Sequence, residues 1–248
     1  MSIDVIVLLL AAGFLSGAVN AIAGGGTFLT FGALTFAGLP PISANATSAI
    51  IQFPGYITST LAYLSDLRKI WKAVAVLAVV SAIGSLAGAL FLVPLSNPAF
   101  RGMVPWLLLG ATAIFAAGPK LRPRSAVESH PASPLGLVLQ GLTSVYGGFF
   151  GAGMGIMMLA SLGLASGGDY HRLNAIKNFL AIVIAAVSIV VFTSAGAISW
   201  LHALVMIPAA ALGGFAGVAI ARRAPQAIVR WAVVILGIGL AVYYFLTG

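Results

Sequence analysis

Long apolar runs separated by short polar punctuation fill this chain from end to end. Ten apolar segments stand out, at about 3–22, 27–37, 43–64, 70–93 and 100–118, then at 135–151, 156–166, 172–194, 199–220 and 229–247. Most reach or approach the ~20 residues that a helix needs to cross the hydrocarbon core of a bilayer. The second segment of each set, 27–37 and 156–166, is much shorter than its neighbours. At ~1.5 Å rise per residue it covers roughly half that thickness. Each short segment follows a glycine cluster, AGGG at 23–26 and GAGMG at 151–155. The pattern predicts an all-α membrane protein with helices interrupted at those clusters.

The two sets of five segments are a repeat. The offset that carries Gly24 to Gly153 also carries Gly26 to Gly155 and Asn45-Ala46 to Asn174-Ala175. With no gap it carries Trp71 to Trp200, Gly84 to Gly213 and Arg101 to Arg230. Glycine matches come cheaply in such a chain; the Asn, Trp and Arg matches do not. The segment KLRPRSAVESHPASP at 120–134 combines Pro, Ser and charge, as a surface linker does. The expected organisation is a first membrane repeat at 1–119, a linker at 120–134 and a second repeat at 135–248.

Composition narrows the solvent and the chemistry. Only 6% of the 248 residues are charged and 61% are hydrophobic, whereas a soluble domain carries about 25% charged residues. Lipid is therefore the main partner of the surface. The formal charge of +8 comes from Lys and Arg at the ends of apolar runs, with no basic stripe of the kind that binds nucleic acid. Cysteine is absent, and Asp4, Asp66, Glu128 and Asp169 all fall at segment ends or loops. Thiolate chemistry, a carboxylate metal site and an acidic proton relay are thus unexpected; no metal, cofactor or enzymatic activity is predicted. His171 and His202 read as interface histidines, and Trp71, Trp200 and Trp231 as anchors in the aromatic belts.

Positive charge sets the orientation. If each half crosses an odd number of times, Arg68, Lys69, Lys72, Lys120, Arg122, Arg124, Arg172, Lys177, Arg222, Arg223 and Arg230 share one side, and only Arg101 lies on the other. Treating the short segments as re-entrant, with four crossings per half, forces Arg222, Arg223 and Arg230 outside. The first arrangement fits better. It makes the halves an inverted repeat, with the linker cytoplasmic and both termini extracytoplasmic.

Candidate binding residues follow from the breaks. Unpaired backbone groups cannot face lipid, so an interrupted helix at membrane depth lines protein or a watery cavity. Where the helices restart, near Thr27 and near Ile156, the first N–H groups carry partial positive charge and favour anions. Gly24, Gly25, Gly26, Thr27, Gly153 and Gly155 are therefore candidates for an anion site; the alternative is that these glycines only permit close helix packing. The third segments add Asn45, Ser48 and Gln52 on one helical face, and Asn174, Lys177 and Asn178 on another. Lys177 either pairs with a bound anion or snorkels to the headgroups. Asn20, Thr143, Ser144 and Tyr146 precede the clusters and either line the same cavity or bond neighbouring helices.

The stretches AIAGGGTFLTFGAL, GLPPISANATSAI, GGFFGAGMGIMML and HRLNAIKNFLA resemble the TauE/SafE group of membrane transport proteins, also called TSUP, over essentially the whole chain. That resemblance implies export or uptake of sulfur-containing anions such as sulfite, sulfonates or thiosulfate across a bacterial plasma membrane. The reading is a secondary transporter for a small anionic solute, worked by one half rocking against the other. A passive anion channel, a membrane-embedded enzyme and a structural subunit are the alternatives, and assembly into a homo-oligomer stays open.

Overall fold

A computed structural model describes residues 1–23, 25–61, 64, 67, 70–121, 131–167, 170–221 and 226–247. Among them are ten α-helices. In the first half these are α1 (Ile3–Ala23), α2 (Thr27–Phe36), α3 (Pro41–Leu61), α4 (Trp71–Leu92) and α5 (Asn97–Leu121). In the second they are α6 (Pro134–Phe149), α7 (Met154–Ser166), α8 (Tyr170–Ser194), α9 (Trp200–Ala221) and α10 (Gln226–Thr247). The starts of α3 and α8, of α4 and α9, and of α5 and α10 are each separated by the repeat offset read in the sequence. The second short helix departs from expectation: it begins at Met154 rather than Ile156, because Gly153 takes up a left-handed turn with φ +80° and ends the break early.

The surface is that of a protein in lipid. Phe215, Leu246, Ile3, Val190 and Leu212 lie largely exposed, while Lys177, Asn178, Gln52, Gln140 and Ser85 are buried. α9 shows the sorting on one helix: Leu201, Leu204, Leu212 and Phe215 point out, and Ala203, Ala210, Gly213 and Gly214 point in. Helices cannot be driven together by apolar area when the surrounding solvent is itself apolar, so close backbone packing must do it. Among the described residues, three helices, over Ile3–Asn20, Trp71–Leu92 and Arg172–Ser194, are long and apolar enough to span a membrane.

The tightest seams join helices of different halves. A Cβ on Gly17 would lie 2.0 Å from the Ala210 carbonyl oxygen, and one on Gly213 would lie 1.9 Å from that of Phe14. Gly13 faces Met206 while Gly17 faces Ala210 and Gly214, so α1 and α9 run parallel. The α4–α6 seam repeats this geometry: Gly84 meets Gly141, Gly88 meets Val145 and Phe149, and Gly148 meets Ser85. α3 and α8 pack together between these seams, and α5 packs on α10.

The directions are set by contacts. Gly25, Gly32 and Thr35, at and along α2, meet Val233, Leu240 and Tyr244 of α10 in order, so α2 runs with α10. Arg101 Nη2 donates to the Thr247 carbonyl at 2.7 Å, and Trp106 stacks edge-on to Phe245, so α5 runs against α10. The Ile42 N–H, in the first turn of α3, donates to Asn97 Oδ1 at the start of α5. The chain termini, the starts of α3, α5 and α9, and Arg101 therefore share one end of the bundle. The start of α6, the end of α3, the start of α8 and the end of α9 lie at the other.

Glycines in the seams and glycines facing out are expected to respond oppositely to substitution. Gly17→Ala forces a methyl into backbone and is expected to destabilise by about 1–3 kcal/mol. Gly110→Ala or Gly239→Ala, at exposed positions where a Cβ meets nothing within 4 Å, is expected to gain about 0.5–1 kcal/mol. Thermal unfolding in detergent measures both.

Candidate functional site

The first break is pinned by side chains from two neighbouring helices. Ser16 Oγ on α1 donates to the Gly26 carbonyl at 2.6 Å, and Gln52 Nε2 on α3 donates to Ser16 Oγ. Gly26 is required sterically, since a Cβ there would lie 2.0 Å from the Ser16 carbonyl oxygen and 2.9 Å from Asn20 Cβ. No side chain caps the start of α2. The side chains of Thr27 and Asn20 face the Tyr56 hydroxyl, and all three residues are buried. Gly24 lies outside the described residues.

The second break is held in a related way. Tyr146 Oη donates to the Ala152 carbonyl at 2.7 Å, which clamps the backbone just before α7 as Ser16 clamps it before α2. Asn45 Nδ2 on α3 donates to the Phe149 carbonyl at 3.0 Å, at the end of α6. Gly153 caps α7 without a side-chain bond, and Gly155 lies buried in the first turn.

The two breaks meet. A Cβ on Gly25 would lie 3.3 Å from Ile156 Cδ1, and one on Gly153 would lie 3.2 Å from the Phe28 ring. Phe28 at the start of α2 therefore rests on the second break, and Ile156 at the start of α7 rests on the first. Both side chains are buried. The space directly between the two helix starts is filled with hydrocarbon, and polar groups flank it.

The candidate residues of the third segments divide between the two ends. Gln52 joins the first break, and Asn45 joins the second. Ser48 spends its hydroxyl proton on its own helix, donating to the Ala44 carbonyl at 2.8 Å. Asn174, Lys177 and Asn178 are buried on α8, whose Ile176 and Leu180 share an apolar cluster with Tyr56 and Met154. Lys177 is only 1% exposed, its side chain enclosed by the bundle. Of the four acidic residues, only Asp4 is among the described residues, and it is exposed at the start of α1. Thr143 Oγ1 bonds its own helix, to Leu139. His202 pairs with Ser199 at the start of α9, and the side chain of His171 is outside the described set.

Sequence reasoning missed Ser16 and Tyr56, and also a second polar seam. There Gln140 donates to Ser81 at 2.9 Å and to Ser144 at 3.1 Å, and Ser85 pairs with Ser188 at 2.9 Å. Gln140–Ser144 and Ser81–Ser85 are i, i+4 pairs inside apolar runs, a spacing that marks a shared helix face.

An all-helical bundle with an apolar exterior, buried Asn, Gln and Lys, and two helices broken in its interior has the build of a membrane transporter. The chain belongs to the sulfite exporter TauE/SafE family, whose sequence model matches residues 9–244. It is 27% identical over 240 residues to the "Probable membrane transporter protein" of Haemophilus influenzae, covering 95% of this chain and 92% of that one. A "Probable membrane transporter protein ORF9" of Sinorhizobium sp is 27% identical, with 98% and 93% covered. The "Probable membrane transporter protein YfcA" of Escherichia coli K12 is 25% identical, with 90% and 82% covered.

A buried charge costs stability unless function repays it. Lys177→Met is therefore expected to keep or raise the unfolding temperature in detergent while lowering solute flux in proteoliposomes at least about tenfold. A variant that instead loses its fold would make Lys177 a structural residue.

Proposed function

We propose that this chain is a secondary transporter that moves a small anion, a sulfur-containing oxyanion or organosulfonate, across the bacterial plasma membrane. The observation that carries this reading is the meeting of two uncapped helix starts in the buried interior, in a protein whose α8 buries a lysine with no acidic partner among the described residues. Helix starts present N–H groups and partial positive charge, and Lys177 adds a full one. No cation would choose such surroundings. The family's description as sulfite exporters favours sulfur anions, and its bacterial relatives favour the plasma membrane.

The halves read as an inverted repeat. Exchanging them maps the α1–α9 seam onto the α6–α4 seam, while α3–α8 and α5–α10 map onto themselves. The charge rule assigns the end whose connections carry most Lys and Arg to the cytoplasm. Both termini then face outward.

The seams change the picture of motion. Rocking one sequence half against the other would have to part α1 from α9 and α4 from α6, where backbones touch. Motion of α5 and α10 against the layer containing α1, α9, α3, α8, α4 and α6 breaks no such contact. Those two helices carry the outward-facing, unpacked Gly110 and Gly239. Phe28 and Ile156 close the space between the breaks, which favours a carrier over a standing pore.

Flux into proteoliposomes tests the reading, with sulfite, thiosulfate and a sulfonate set against nitrate, a carboxylate and a neutral solute. Saturable sulfur-anion flux, accelerated by the same anion on the opposite side, is the expected result. Movement of cations or neutral solutes alone would refute the anion reading, and unitary currents would make the protein a channel.

A further inference from the structure

The repeat fails at one place, and the failure has a chemical sense. Around the first break stand Ser16, Asn20, Thr27, Gln52 and Tyr56, all buried. Their counterparts in the second half, at the repeat offset, are Val145, Phe149, Ile156, Ala181 and Ala185, with no polar side chain among them. Two helix starts related by the repeat therefore differ: these five positions are polar at the first, whereas the polar side chains at the second, Tyr146 and Asn45, are spent on the Ala152 and Phe149 carbonyls.

At the polar break most groups are already engaged. The Ser16 hydroxyl donates to the Gly26 carbonyl, and the Gln52 amide donates to Ser16. Thr27 and Asn20 face the Tyr56 hydroxyl. One atom is left over: Asn20 Oδ1 is buried, on a residue 6% exposed, with no hydrogen-bond partner among the described residues. Asn20 lies directly against Gly26, since a Cβ on that glycine would meet Asn20 Cβ at 2.9 Å. An orphan acceptor thus adjoins an uncapped helix start. A helix start supplies donors to an anion's oxygens; the amide oxygen asks for a donor from the same guest.

Resting on the anion reading above, we infer that the first break alone is the binding site and that it selects an anion carrying its own hydrogen-bond donor. The class is a hydroxylated sulfonate or a protonated oxyanion such as hydrogensulfite. An anion with acceptors only would set negative charge against the Asn20 oxygen and leave it unsatisfied. Sites that hydrogen-bond a substrate hydroxyl discriminate strongly against the analogue without it.

Competition against labelled sulfite flux in proteoliposomes tests this with 2-hydroxyethanesulfonate, ethanesulfonate and sulfate. The hydroxylated sulfonate is expected to inhibit at a concentration at least about tenfold lower than ethanesulfonate, and sulfate no better than ethanesulfonate. In Asn20→Leu and Asn20→Ala the two sulfonates should converge to within about twofold. Sulfite flux with equal inhibition by the two sulfonates, or with both inert, overturns this inference and leaves the transport function standing. A preference that survives both Asn20 variants also overturns it. Absence of any sulfur-anion flux overturns both readings. If neither variant folds, the ratio in the native protein decides.

Discussion

A helix can be broken inside a bilayer only if the backbone groups it frees are met by protein. That constraint organises this bundle. Ser16 and Tyr146 each reach a carbonyl at a break, Gly26 and Ala152 respectively, and Gln52 secures Ser16 from a third helix. With the carbonyls held, the N–H ends of α2 and α7 remain without side-chain caps. The interlock of Phe28 on Gly153 and Ile156 on Gly25 then fixes the two starts against each other. Bulk on either glycine would separate them.

The energetics are those of a protein turned partly inside out. Association in lipid gains little from apolar burial, so α1–α9 and α4–α6 are brought to backbone contact by Gly17, Gly213, Gly88 and Gly148. The polar groups concentrate inside, where the low dielectric makes each satisfied bond strong and each orphan costly. Asn20 Oδ1 carries that cost without a partner among the described residues. Its expense is intelligible if a solute supplies the missing partner for part of the transport cycle.

Much of this could be read from residue order. The single ungapped offset between the halves anticipated the paired starts of α3 and α8, α4 and α9, and α5 and α10, because Trp, Asn and Arg matches are scarce in an apolar chain. The glycine clusters located both breaks, since a run of glycines is the strongest local signal against a continuing helix. The start of α7 was expected at Ile156 and lies at Met154, because composition does not reveal which glycine of GAGMG turns left-handed. Ser16 and Tyr56 were invisible for another reason: the meaning of each lies in a partner on a different helix. The seams between halves were equally hidden, for Gly13 and Gly17 give no hint that Met206 and Ala210 are what they face.

The central claim is that amide groups at the start of α2, in the first break, hold the anion. Amide chemical shifts of protein selectively labelled at glycine and threonine, in lipid nanodiscs titrated with sulfite, address it directly. The account predicts saturable shifts at Gly25, Gly26 and Thr27, with Gly110 and Gly239 unmoved. Sulfite binding that leaves those three amides unchanged would contradict it.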